Sequence, residues 1–388
     1  MRAARSVRRP SALLLTAVLP LTALAACGEE EAGDGLDLVT VSGEFGQAPE
    51  VEIEDVVEPD GFASEVLVEG DGEVVEQGDV AMLHVWVGNG YTGQEAFSTF
   101  EYEPGLLPVS SDAPSAAVKA ALQQSAVSVV LDPLTGALPT SIVESVDGVK
   151  AGSRVLVTSD ADDAFGQTGQ PNIGIGNADG VVYVVDVLAR AADGPSGEEV
   201  APPAGTPALV EDGAQVTGFD FAGATPPTDE LQVIPLVEGD GPVVEEGATL
   251  IANYLGQVYE GEAPFDESYS GGLPRSFVVG GPNAAVIEAW NEGLVGLAAG
   301  SRVILVVPPA LGYGEAGNEA AGIAGTDTLY FVVDVLGSVV LPEPVVEPTE
   351  DPAATEDPAA TEDPAATEDP TTTEDPAATE PTAPATTG

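Results

Sequence analysis

A single imidazole, His84, and a single thiol, Cys27, bound what this 388-residue chain can catalyse. One histidine and one cysteine cannot assemble a His/Cys zinc site. A serine–histidine–acid triad would have to run through His84, which sits in the strand-like run AMLHVWVG with no nucleophile motif beside it. A histidine satisfied within a sheet, or facing solvent, is expected there. Carboxylates are plentiful, yet Asp160, Asp162 and Asp163 lack the spacing and glycine of a calcium loop. Gly174-Ile175-Gly176 has no following helix to receive a pyrophosphate. No metal and no cofactor is expected. What remains is an ordered aromatic set between Val233 and Gly337. It runs Tyr254 inside a strand, the pair Phe265-Asp266, the step Val286-Ile287-x-x-Trp290, the pair Tyr313-Gly314, and the strand Leu329-Tyr330-Phe331. Each aromatic alone is what a core requires.

Taken together, in this order and at these spacings, the residues resemble the FKBP family of peptidyl-prolyl isomerases, over a quarter to a third of the chain. The resemblance implies an α+β fold in which a twisted antiparallel sheet wraps a short helix. It also implies a site with Trp290 as the floor of a pocket and Tyr254, Phe265, Val286, Ile287 and Phe331 as its walls. Tyr313 would donate its hydroxyl to a substrate carbonyl. Asp266 would be the rim carboxylate, oriented by Tyr254, and Ile323 an apolar lid. Three positions depart from the family pattern: Arg275, beside Pro274, replaces a pocket aromatic, Gly271 replaces a basic residue, and Asn318 replaces a histidine.

Such a reaction needs none of the groups the chain lacks. The rotation barrier of about 18–20 kcal/mol arises from amide resonance, while the isomers of an X-Pro bond differ by only about 0.5–1 kcal/mol. In the twisted transition state the amide is less dipolar than when planar. A dry aromatic pocket therefore disfavours the ground state relative to the transition state.

The elements that must hold these residues occur twice. Val68–Gly78 (VEGDGEVVEQG) recurs as Val237–Gly247 (VEGDGPVVEEG), an offset of 169, whereas Ala151-Gly-Ser-Arg-Val155 recurs as Ala299-Gly-Ser-Arg-Val303 at 148. The first copy thus carries about 21 extra residues, placed within 100–140. Short Val- and Leu-rich segments bounded by Gly, Pro or Asn predict strands at 249–255, 276–279, 302–307 and 329–336. Val286, Ile287, Trp290 and Leu294 have the spacing of a buried helix face over 284–294. The expected domains are 36–192 and 209–338, joined by a linker at 193–208, with PPAGTPAL at 202–209. Matching the copies pairs Tyr254 with Trp86, Phe265 with Phe97, Asp266 with Ser98, Ile287 with Pro139, Trp290 with Ile142, Tyr313 with Phe165 and Phe331 with Tyr183. The first copy is therefore expected to be a degenerate version without the polar grips, leaving activity to the second.

The two ends bear on location. Arg2, Arg5, Arg8 and Arg9 precede an apolar stretch at 12–26 that is short of the ~20 residues of a membrane span. Leu24-Ala25-Ala26-Cys27 resembles a bacterial lipobox, which implies a signal peptide at 1–26, lipidation of Cys27 and an extracytoplasmic, membrane-anchored protein. With 65 acidic against 10 basic residues, a formal charge of −55, the surface repels nucleic acid and anionic lipid, so no nucleic-acid partner is expected. From residue 339 the chain turns to Pro, Glu, Thr, Ala and Asp with the hexad EDPAAT recurring, a composition that cannot offset its ordering entropy and predicts a disordered tail. The expected partners are proline-containing exported polypeptides, met by a monomer. The alternative is a non-catalytic peptide-binding or chaperone lipoprotein on the same fold.

Overall fold

In the computed structural model, which describes residues 34–131 and 134–342, the Val-rich repeats form two antiparallel sheets of matching topology. The first half runs β1 (Val39–Ser42), β2 (Glu50–Ile53), β3 (Phe62–Val68), β4 (Val74–Val75), β5 (Val80–Asn89), β6 (Gln94–Ser98) and β7 (Gly105–Pro108). Helices α1 (Ala116–Leu122) and α2 (Thr140–Val146) follow, then β8 (Val149–Lys150), β9 (Ser153–Asp160), α3 (Ala161–Phe165) and β10 (Gly180–Ala191). The second half runs β11 (Glu198–Glu199), β12 (Ala208–Asp212), β13 (Gln215–Asp220), β14 (Gln232–Glu238), β15 (Thr249–Val258), β16 (Pro264–Glu267) and β17 (Arg275–Val278). It closes with α4 (Glu288–Leu294), β18 (Arg302–Val307) and β19 (Leu329–Val339). Residues up to Ala191 are called the first lobe below, and those from Glu198 the second.

The first sheet orders its strands β3-β9-β10-β5-β6 with β7 on β5; the second orders them β14-β18-β19-β15-β16 with β17 on β15. The long strands β10 and β19 are buried on both faces, which their near-continuous apolar sequences require. One face of each packs on its helix, and the other is covered by a hairpin, β1–β2 in the first lobe and β12–β13 in the second. Within each centre one ion pair recurs at the same place. Arg154 Nε lies 2.6 Å from Asp186, and Arg302 Nε 2.5 Å from Asp334, each arginine directly opposite its aspartate in the register. Both pairs also reach the covering hairpin, through the carbonyls of Gly43 and Gln47 in one lobe and through Glu211 in the other.

Several expectations are modified. The first lobe has three α-helices where a single one was expected, and α1 lies in the extra residues of that copy. In the second lobe the helix begins only at Glu288. Ile287 caps it in an extended conformation (φ −64°, ψ 151°) after the left-handed turn Gly280-Gly281, so Val286 and Ile287 precede the helix; a β-branched pair has low preference for a helix interior. The expected linker is not idle, for β11 pairs with β14, and Ser196 N donates to Gly300 O. The last strand runs on to Val339. The described residues all belong to one compact unit, and Met82, Leu188, Ile251 and Leu336 form a buried cluster shared by the two sheets. The predicted signal segment 1–26, Cys27 and the tail from 343 lie outside the described residues.

Candidate functional site

On β15, strand alternation sends Tyr254 and Gly256 to the helix-facing side of the second sheet. Gly256 lies opposite Asp266 and Gln257 opposite Pro264, so Phe265 is the additional residue of a bulge on β16. A bulge re-aims neighbouring side chains, which is how the adjacent residues Phe265 and Asp266 both reach the same side. Opposite Gly256 on its other flank is Phe331 of β19. A Cβ on Gly256 would stand 2.6 Å from Cζ of Phe265 and 2.7 Å from Cε1 of Phe331, so the two rings rest on bare backbone.

The rings then form one continuous edge-to-face series. Phe265 meets Phe331 at 5.6 Å between centroids, Phe331 meets Trp290 at 5.6 Å, and Trp290 meets Tyr254 at 5.3 Å and Phe277 at 5.0 Å, with interplanar angles between 75° and 85°. Such contacts match ring edge to ring face and add roughly 0.5–1.5 kcal/mol each beyond burial. Trp290, on α4, is 4% exposed, and its Nε1 has no hydrogen-bond partner among the described residues. Val286 and Ile287 are partly buried against this cluster, and Ile323, in the loop before β19, is 4% exposed within it.

The polar groups sit at the edge of this cup. Tyr254 Oη donates a 2.5 Å hydrogen bond to Asp266 Oδ2. Burial first, and the bond to Asp266 second, push the Tyr254 hydroxyl far above its ordinary range, so it remains a protonated donor at any physiological pH. The fields of Arg275 and Tyr313 also act on that hydroxyl. Tyr313, in the loop after β18, is 36% exposed, which leaves its ring free to meet a ligand. Arg275 opens β17 and is exposed; alternation places it on the same face as Phe277.

Eight of the nine residues expected at a second-copy site meet in this cup and at its edge, and Tyr313 lies near enough for its field to act on the Tyr254 hydroxyl. Phe277, absent from that set, is a further wall in contact with both Tyr254 and Trp290, and its four-residue strand offers no spacing that would single it out. His84 lies elsewhere, 4% exposed in the first lobe. Its Nδ1 is 3.1 Å from Thr99 Oγ1, its ring stacks on Phe100 at 4.5 Å, and burial lowers its pKa to about 4. It is neutral, satisfied and not a general base for the cup.

In the first lobe the expected pairing of copies needs correction. Val87 lies opposite both Tyr183 and Phe97, as Gly256 lies opposite both Phe331 and Asp266. Tyr254 therefore corresponds to Val85, Asp266 to Phe97 and Phe265 to Ala96. Trp86 takes the place of Leu255 and faces the other side of the sheet, packed with Val39, Val57, Leu156 and Val184 under the β1–β2 hairpin. A slip of one residue reverses the face of every side chain in a strand. The helix and final strand match as expected, Ile142 standing for Trp290 and Tyr183 for Phe331. Val87 fills the space that Gly256 leaves open, and Val85 and Phe97 stand where Tyr254 and Asp266 form the rim of the second lobe. A separate cleft of about 270 Å³ between the lobes is lined by the two VEGDG turns, including Asp71 and Asp240; Phe45 is its only aromatic wall.

The stretch that carries the cup is similar in sequence to known proteins. A sequence model of the family described as FKBP-type peptidyl-prolyl cis-trans isomerase matches residues 241–336, a span that contains the whole cup. An FK506-binding protein of Streptomyces anulatus is 38% identical over 117 residues, covering 30% of this chain and 92% of its own length. The FKBP-type peptidyl-prolyl cis-trans isomerase FkpA of Escherichia coli K12 is 37% identical over 123 residues, covering 32% of this chain and 42% of its own length. The crystal structure of FkpA from Escherichia coli is matched with a TM-score of 0.26 at 35% identity, over 29% of this chain and 49% of that one.

Proposed function

The chain belongs to the FKBP-type peptidyl-prolyl cis-trans isomerase family, and from that premise we propose that the aromatic cup of the second lobe carries its activity. The observation that carries this reading is the unbroken ring series from Phe265 to Phe277 with Asp266 fixed at its edge by Tyr254. A proline ring entering the cup lies over the Trp290 indole and between Phe331, Phe265 and Phe277, where water is excluded. The planar amide loses solvation that the less dipolar twisted amide needs less, so the barrier falls without proton transfer. The Tyr313 hydroxyl donates to a carbonyl beside the proline, Ile323 covers the ring, and the Asp266 carboxylate holds the backbone at the rim.

The N-terminal Leu24-Ala25-Ala26-Cys27 supports anchoring by lipid on the extracytoplasmic face, with exported polypeptides as substrates. Because the surface charge repels anionic lipid, the acyl chains supply the attachment. The first lobe, lacking the cup and its rim, is read as non-catalytic. Arg275 in place of an aromatic favours the second reading, a peptide-binding module without turnover.

A protease-coupled assay on the full chain, with a proline tetrapeptide, separates these readings. Turnover that Phe331→Ala removes supports the second-lobe site. Binding of the peptide without turnover would establish the module instead, and full activity in Phe331→Ala would move the reaction elsewhere.

A further inference from the structure

Between the cup strands β16 and β17 lies a segment that belongs in sequence to the second lobe but is held by both. At its start Ser268 is tied to Tyr254 twice, its N–H donating to the Tyr254 carbonyl and its Oγ accepting from Tyr254 N, each at 3.0 Å. Tyr269 follows, buried in the second lobe, with its hydroxyl 2.9 Å from Asp334. The chain then turns through Gly272 at φ 73°, and Leu273 enters the first lobe. Its side chain is 7% exposed and forms part of the first lobe's hydrophobic core. Helix α1 supplies the seat: a Cβ on Gly272 would stand 3.1 Å from Cγ2 of Val118. Pro274 restricts Leu273 to extended backbone, so the chain runs stiffly from that seat into Arg275 and Phe277.

We propose that Leu273 is a positioning residue for the isomerase site and that the first lobe acts as its clamp. The inference rests on the second-lobe reading above and extends it by giving the first copy a task. Two independent observations meet here. The insertion that distinguishes the first copy contains α1, and α1 lands on the segment joining Asp266 to Phe277. The lobe that lacks a cup therefore fixes the rim and one wall of its neighbour's. A wall four residues from its anchor shifts when the anchor is lost, and displacement of about 1 Å at such a site can cost a large factor in rate.

The test uses the full chain, with Leu273→Ala and Val118→Ala made singly and together, and Leu273→Met as the conservative replacement. Each alanine variant should lower kcat/KM roughly five- to tenfold, mainly through KM. The double variant should be no worse than either single one, because Leu273 and Val118 belong to the same packed core and both variants loosen the same seat, and Leu273→Met should restore the loss. In a Trp86→Phe background, Trp290 is the remaining tryptophan, and its emission should shift to the red in Leu273→Ala as the Phe277 wall loosens. Alanine variants that melt earlier but keep wild-type kcat, KM and Trp290 emission would overturn the proposal and leave an ordinary lobe contact. Phe331→Ala is assayed beside them: full activity there sinks the second-lobe reading, and the Trp290 emission alone then decides whether Leu273 positions the cup.

Discussion

Phe265 and Phe331 meet edge to face, 5.6 Å apart, above a residue that has no side chain to separate them, Gly256. The corresponding residue of the first lobe is Val87, fully buried, in a sheet of the same topology. Gly256→Val should therefore leave the sheet intact and push the two rings out of the cup. The expected result is a fall in kcat/KM of about tenfold or more with far-UV circular dichroism unchanged. Wild-type turnover in a folded Gly256→Val protein would show that the rings do not form the reactive surface.

Dry-pocket catalysis ranks the site variants. Phe265→Ala and Phe331→Ala open the cup to water and should be the most damaging. Tyr313→Phe removes one hydroxyl and should lower turnover modestly. Asp266→Ala should reduce activity while the rate stays flat across neutral pH, because no proton moves in the reaction. Loss of a general base would instead cost about 10²–10⁴-fold and abolish a titration in the wild-type profile. Should the wall variants remain active while Asp266→Ala is dead, the mechanism given above is wrong.

His84 makes the first lobe sensitive to acid. Its pKa falls from the ordinary 6.5 to about 4 on folding, because burial disfavours the cation. The unfolded chain then binds more protons between those values. The stabilisation is complete above pH 6.5 and is lost as pH falls towards 4, by about 3 kcal/mol in total. Urea titrations from pH 7 to pH 4 should show a shallower decline for His84→Gln than for the wild type. Parallel declines would mean that His84 is not held neutral.

Lipid attachment predicts that Cys27→Ser releases the protein, either secreted or as uncleaved precursor. Phase separation in Triton X-114 measures this directly. A variant that partitions into detergent as the wild type does would remove Cys27 as the anchor.

The cup was legible in the sequence because its residues are large, rare and ordered along the chain. Phe277 was not, since a phenylalanine in a four-residue strand carries no spacing of its own until its neighbours Tyr254 and Trp290 are in place. The slip that set Trp86 against Tyr254 has a related origin. Trp86 and Tyr254 are both aromatic, but the offset of 169 running on from Gly78 and Gly247 leads to Val85, and the register agrees with the count. Helix α1 and its hold on Leu273 were also invisible, because a contact between an insertion in one copy and a turn in the other has no counterpart in the repeat.

Strand β11 decides where this chain can be cut. Its two glutamates pair with Val237 and Glu238, and Val200 N continues the ladder to Leu236 O, closing part of the outer margin of the second sheet. A fragment beginning at residue 206 would strip that cover from β14, whose Val233 is already 39% exposed. Unpaired N–H and C=O groups along a strand edge recruit other strands. Such a fragment should self-associate as its concentration rises, and a start before Ser196 keeps the margin closed.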